Sequence, residues 1–231
     1  MHEGNEEGKA YTVGIMRVPV EERPQGELAE VVQRAVDHIH DTLTEDLGLR
    51  IKLFEFEGPH ILPSERGYSP FDFLELGLAE KVERDIHFML VVSEVELSPS
   101  NLSYVLAFPS QLTNVGIMSI RRLSPSFWGQ GPDLGATARR LAALMLHTFG
   151  HIVNLPHSED RANVMADIGR VSDLDEMCAF TGEQLRLIRQ HMPQEARDAV
   201  QEGGASRSWR ESWSRTGGPS CSPPSARTRC G

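Results

Sequence analysis

Residues 146–165 read LHTFGHIVNLPHSEDRANVM, and this segment restricts the fold more than any other part of the chain. His147 and His151 stand four apart in a stretch whose apolar residues recur at helical spacing. Four residues of α-helix give about 6 Å of rise and about 40° of rotation, so both imidazoles leave one face toward one point. That placement suits two ligands of a tetrahedral metal bound at about 2.0–2.1 Å. Taken alone, an H-x-x-x-H pair is more often two unrelated histidines, and His38 and His40, two apart on different faces, have only that reading. His157, six residues beyond His151, strengthens the metal reading. Asn154 suits the left-handed position that ends a helix, and Pro156 cannot continue one. The chain is therefore expected to turn sharply and bring His157 back toward the other two.

The surrounding pattern alternates. Residues 11–20 (YTVGIMRVPV) read as a strand, and residues 27–47 place Leu28, Val31, Val32, Ala35, Ile39, Leu43 and Leu47 at helical spacing. Gly48 supplies a stop, and residues 49–56 (LRIKLFEF) return to strand character. A Gly/Pro loop leads to a helix at 71–83, and strands are expected at 86–92, 104–108 and 115–121. Residues 124–135 read as a linker, and 136–153 as a long helix. Thr181-Gly-Glu-Gln184 has capping-box form and opens a helix that Pro193 is expected to interrupt. Strands and helices alternate first and helices dominate later, which predicts a mixed α/β domain. We expect a polar leader at 1–10, one domain at 11–200 and a disordered Ser/Gly/Pro/Arg-rich tail at 201–231.

Charge excludes some partners. The 231 residues carry 23 basic and 33 acidic side chains. Five Arg and two Glu give the tail +3, which leaves −13 on residues 1–200. An acidic body of that size argues against nucleic acid or an anionic membrane as the main partner. Cys178 is the body's single thiol, with Cys221 and Cys230 in the tail, which is no disulfide framework and favours a reducing, cytoplasmic setting. The segment MHEGNEEGKA lacks the basic start of a signal peptide, and apolar runs such as FMLVV fall far short of a membrane span.

The pattern H-x-x-x-H-x-x-N-x-x-H followed by Met165 resembles the zinc motif of the metzincins, H-E-x-x-H-x-x-G-x-x-H with a downstream Met-turn. Among metzincins it is most similar to the archaemetzincins. Their motif continues with a Cys, four residues, a second Cys, one residue and Met, then a C-x-x-C pair seventeen residues later. Here Ser158 and Asn163 occupy the first two Cys positions, and Glu183 and Arg186 the last two. Upstream, Tyr68-Ser69-Pro70 resembles the family's Y-N-P, the YVLAF of 104–108 its Y-V-F-G-like strand, and the IMSIRRL of 117–123 its V-I-S-x-x-R-L. The likeness covers about residues 11–192.

The resemblance implies a metzincin-like zincin fold. It has a twisted mixed sheet, a backing helix, an active-site helix and a small helical C-terminal subdomain. It implies one zinc held by His147, His151 and His157 above Met165. It also implies a peptide or protein ligand lying antiparallel to an edge strand near Val115, Gly116, Ile117 and Met118. Two departures stand out. No second, structural zinc is expected, because Ser, Asn, Glu and Arg make no thiolate site, and hydrophobic packing is expected in its place. Thr148 occupies the position of the catalytic Glu, and its hydroxyl is no usable base near neutral pH. Weak or lost peptide hydrolysis follows. An active hydrolase with a non-standard base (Glu159 and Asp160 lie just beyond the third ligand) and a metal-free interaction domain stay open as alternatives. Asp173 and Asp175 resemble an acidic pair of the family, or cap a loop.

Overall fold

A computed structural model describes residues 10–19, 25–63, 67–99 and 104–196; the expected leader at 1–10, apart from Ala10, and tail at 201–231 lie outside them. Five strands, β1 (Tyr11–Val18), β2 (Ile51–Glu57), β3 (Phe88–Ser93), β4 (Ala107–Ser110) and β5 (Val115–Ser119), form one sheet in the order β2-β1-β3-β5-β4. All neighbours are parallel except β4, which runs antiparallel to β5 at the edge. Helix α1 (Gln25–Asp41), extended by a π-turn at Thr42–Asp46, joins β1 to β2, and α2 (Pro70–Glu83) joins β2 to β3. The two connections run in opposite directions across the sheet, and crossovers of the same hand then place their helices on opposite faces.

The strand sequences carry both faces. Val13, Ile15, Phe88, Leu90, Val92 and Met118 join a core with α1 and the long helix α3 (Leu134–Ile152). Met16, Val18, Met89, Val91, Val115 and Ile117 join a second core with Phe73 of α2. This two-residue alternation is the pleat of a sheet covered on both sides, which is why β3 and β5 read as unbroken apolar runs. Asp133 caps α3, its carboxylate accepting the Ala136 N–H at 2.8 Å, so the helix starts two residues earlier than expected. Helix α4, residues 182–196, opens on the expected capping box: Thr181 N–H donates to Gln184 Oε1 (2.9 Å) and Gln184 N–H to Thr181 Oγ1 (3.2 Å).

Three expectations are corrected. The strand expected at 104–108 begins at Ala107, because Val105 pairs instead with Leu97. Part of the expected 124–135 linker is a 3-10 turn, Pro125–Trp128. Pro193 lies inside α4 rather than ending it. A proline within a helix costs about 3 kcal/mol, but Ile188, Met192 and Ala196 are fully buried in the core that α3 also joins. Burying side chains of this size returns about 1.5–3 kcal/mol for each large one. Among the described residues, no helix is long and apolar enough to cross a membrane.

Gly116 sets how closely α3 approaches the sheet. A Cβ there would overlap Thr148 Cγ2 and crowd Ile152 Cδ1 at 3.1 Å. Gly116→Ala should therefore destabilise by about 1–3 kcal/mol in thermal or urea unfolding. In a Thr148→Ala background, which removes the opposing methyl, most of that loss should disappear. Additive effects of the two substitutions would contradict this packing.

Candidate metal centre

Helix α3 carries His147 and His151 one turn apart, and the helix exit does what the sequence predicts. Asn154 takes a left-handed conformation (φ 63°), with its N–H on the His151 carbonyl (3.0 Å) and the Leu155 N–H on the Gly150 carbonyl (2.8 Å). The chain turns at Pro156 and delivers His157. His151 Nε2 then lies 3.0 Å from His147 Nε2 and 2.9 Å from His157 Nε2.

The outer nitrogens decide what these contacts are. His147 Nδ1 lies 2.8 Å from the Val164 carbonyl, and His157 Nδ1 lies 2.6 Å from an Asp167 carboxylate oxygen. Both partners only accept, so each Nδ1 carries its proton and each Nε2 presents a lone pair. At most one proton can sit between the three converging nitrogens, which makes the spot strongly electron-rich. A tetrahedral ion with metal–nitrogen bonds of about 2.0–2.1 Å needs its ligand atoms about 3.3 Å apart. The three imidazoles thus fit a divalent ion after small shifts. Among the described residues, they are the one group of three or more His, Cys, Asp or Glu side chains placed to hold a metal.

Burial lowers the pKa of His147 below its usual value. Burial, reinforced by the neighbouring histidines, pushes that of His151 down to about 4. Both rings are neutral at pH 7, the state a metal ligand needs. Met165, where the resemblance places the Met-turn, is fully buried, its thioether against Gly150 where a Cβ would overlap it, with Phe180 alongside.

Thr148 is wholly buried. Its methyl points at Gly116, and its hydroxyl has no hydrogen-bond partner within the protein. Neither Glu159 nor Asp160 lines the cleft at the histidines. Asp160 instead accepts the Ala162 N–H (3.0 Å), while Asp173 caps Gly169 and Arg170 (2.9 and 2.8 Å) and Asp175 grips Arg140 with two bonds of 2.8 Å. The cleft-lining carboxylate is Asp167, already engaged by His157. No spacing rule singles out Asp167, so the sequence reading missed it.

Val115, Gly116, Ile117 and Met118 do not form the cleft's edge. They are buried on β5, between β3 and β4. The edge is β4, and the cleft of about 700 Å³ runs between β4 with the residue before it (Leu106, then Ala107 and Pro109) and Ile168, Arg170 and Val171. The Ser119 N–H on the Leu106 carbonyl (2.9 Å) fixes the hydrogen-bonded pairs of this ladder. Alternation along the strand then turns the backbone groups of Ala107 and Pro109 away from β5. Val105 is already taken by the Leu97 carbonyl (3.0 Å), and Pro109 has no N–H. The cleft edge therefore offers the N–H and C=O of Ala107 and the C=O of Pro109.

The four positions where the resemblance places thiols are also corrected. Hydrophobic packing does not fill them. Ser158 bonds through its backbone to Met165 (2.8 Å), Glu183 and Arg186 form an exposed ion pair, and Asn163 makes a side-chain amide pair with Gln184 at 2.9 Å. A buried amide can satisfy its donors and acceptors only with polar partners, which is why polar groups gather there.

No family model matches the chain. It is 29% identical to an archaemetzincin of Methanocaldococcus jannaschii over 87 residues, 38% of this chain and 49% of that protein. It is also 29% identical to the Pyrococcus furiosus archaemetzincin over 96 residues, 41% of this chain and 50% of that protein. The aligned stretches thus span about half the length of these relatives. The crystal structure of Methanopyrus kandleri archaemetzincin superposes with a TM-score of 0.62 at 18% identity, covering 79% of this chain and 96% of that one. A zinc-dependent peptidase from Methanocorpusculum labreanum gives 0.57 at 16%, covering 76% and 99%. The fold is the one seen in these two structures, a mixed α/β sheet with helices, and the chain is archaemetzincin-like.

In the metal-free protein, His151 titrates lower folded than unfolded, so the unfolded chain takes up its proton first as pH falls. Stability should be full above pH 6.5 and decline toward pH 4. Melting curves of chelator-treated protein test this. His151→Gln should flatten the decline, and an unchanged slope would contradict the assignment.

Proposed function

We propose that this chain is a zinc-binding archaemetzincin-like peptidase homologue that takes a peptide in its cleft and has weak or lost peptide hydrolysis. The observation that carries the reading is Thr148: the side chain beside the first ligand is a buried threonine with its methyl pressed on Gly116, not a carboxylate. His147, His151 and His157 would hold the ion. Zinc bound there would supply a Lewis acid and lower the pKa of a coordinated water. What the chain's own residues supply is narrower. The Val164 carbonyl and Asp167 orient the imidazoles, and Met165 and Phe180 keep the floor dry. Ala107 offers an extended peptide one antiparallel pair of bonds, and Pro109 one further acceptor. Apart from the two histidines, no α3 side chain that lines the cleft can accept a proton near neutral pH. Loss of a general base typically costs about 10²–10⁴-fold in rate.

The acidic body favours a peptide over nucleic acid or a membrane surface. The exposed free thiol of Cys178 fits a reducing, cytoplasmic setting. One zinc per chain is supported by the single three-histidine group among the described residues, together with the amide pair where the resemblance places thiols.

Three measurements test the reading together. Elemental analysis should find about one zinc per chain, retained after thiol modification and lost in the triple His→Ala variant. The parent should cleave a peptide library barely above background. Thr148→Glu, still carrying one zinc, should raise chelator-sensitive hydrolysis by about 10²–10⁴-fold. A parent already turning over at ordinary peptidase rates would overturn the impaired-catalysis reading and favour an active hydrolase with another base. A parent without zinc would favour the interaction domain.

A further inference from the structure

We infer that the amide pair of Asn163 and Gln184 is a positioning clasp that aims the Val164 carbonyl at His147, and so presents the His147 Nε2 to the metal. The inference rests on the zinc reading above.

Asn163 is only 3% exposed, and its amide is fully used. Nδ2 donates to the Ala179 carbonyl (3.3 Å) and to Gln184 Oε1 (2.9 Å). Oδ1 accepts from Gln184 Nε2 (2.9 Å) and from the Met165 N–H (2.9 Å). The two backbone partners admit one orientation of this amide, because a carbonyl only accepts and an N–H only donates. Gln184 is fixed in turn, since its Oε1 also takes the Thr181 N–H at the start of α4.

The consequence follows from peptide planarity. The Met165 N–H and the Val164 C=O are opposite edges of one planar group. Asn163 holds one edge, and His147 Nδ1–H donates to the other at 2.8 Å. Any rotation of that plane away from Asn163 turns the carbonyl off the imidazole and frees the ring. The route from α4 to the metal ligand is thus four bonded steps: Thr181, Gln184, Asn163 and the peptide between Val164 and Met165. Outer hydrogen bonds of this kind typically govern metal affinity by 10–100-fold. The clasp stands where the resemblance places a Cys, so hydrogen bonds here do the holding that a second ion would do.

Full-length protein carrying Asn163→Ala, Gln184→Ala or, as a packing control in the same helix, Ile188→Ala provides the test. Zinc affinity is read by competition with a chromogenic chelator. The His147 ring proton is read by NMR on the metal-free form. Asn163→Ala should weaken zinc binding by about 10–100-fold, Gln184→Ala by less, and both should lose the slowly exchanging Nδ1 proton. Ile188→Ala should keep both readouts within about twofold of the parent, whatever it costs in melting temperature. Parent-like affinity and ring proton in Asn163→Ala would overturn the clasp, as would equal weakening in Ile188→Ala. If Asn163→Ala does not fold, Gln184→Ala decides. A parent that binds no zinc defeats the metal reading instead, and the ring-proton arm still decides whether the clasp holds His147.

Discussion

Three imidazole nitrogens within 3.0 Å along each linked edge, two of them on rings held from outside by acceptors at Nδ1, have room for one proton or one cation between them. A fold that assembles such a group must hold it from every side. Helix α3 does so by being buried almost throughout, pinned against β5 where Gly116 lets it approach and against β3 through the edge-to-face contact of Phe149 and Phe88 (5.6 Å). The return loop does so through the left-handed turn at Asn154, and the segment after it through the Val164 carbonyl and the buried Met165. Sheet, helix and loops are arranged around this one concentration of negative potential.

Local signals carried much of this in the sequence. The four-residue spacing of His147 and His151, the turn at Asn154 and the capping box at Thr181 depend on bonds between near neighbours, and each is present as read. Pairing across the sheet depends on residues far apart, and there the reading failed. Val115 to Met118 looked like an edge, but β4 hydrogen-bonds outside it, and nothing in the four residues VGIM tells a central strand from an edge one. Pro193 looked like a stop because local propensity is blind to the burial of Met192 and Ala196. Asp167 and Gln184 act through contacts that no fixed spacing marks.

The structure separates two properties that a peptidase combines. The ligand side is assembled: three converging imidazoles, two of them held from outside by acceptors at Nδ1. The proton-handling side is not, since Thr148 turns its methyl to the sheet and Asp167 is spent on orienting His157. The docking edge is short as well, because Leu97 covers Val105 and Pro109 withholds a donor. On the function proposed above, a cleft built this way would hold a metal and a short extended segment rather than turn substrate over rapidly.

The central claim is that the three Nε2 atoms share one zinc ion, and X-ray absorption at the zinc edge of the zinc-loaded protein addresses it most directly. The account predicts a four-coordinate shell of three nitrogens and one non-protein oxygen at about 2.0–2.1 Å, with histidine multiple scattering and no sulfur at about 2.3 Å. A sulfur shell, or a six-coordinate shell of oxygens without histidine scattering, would contradict it.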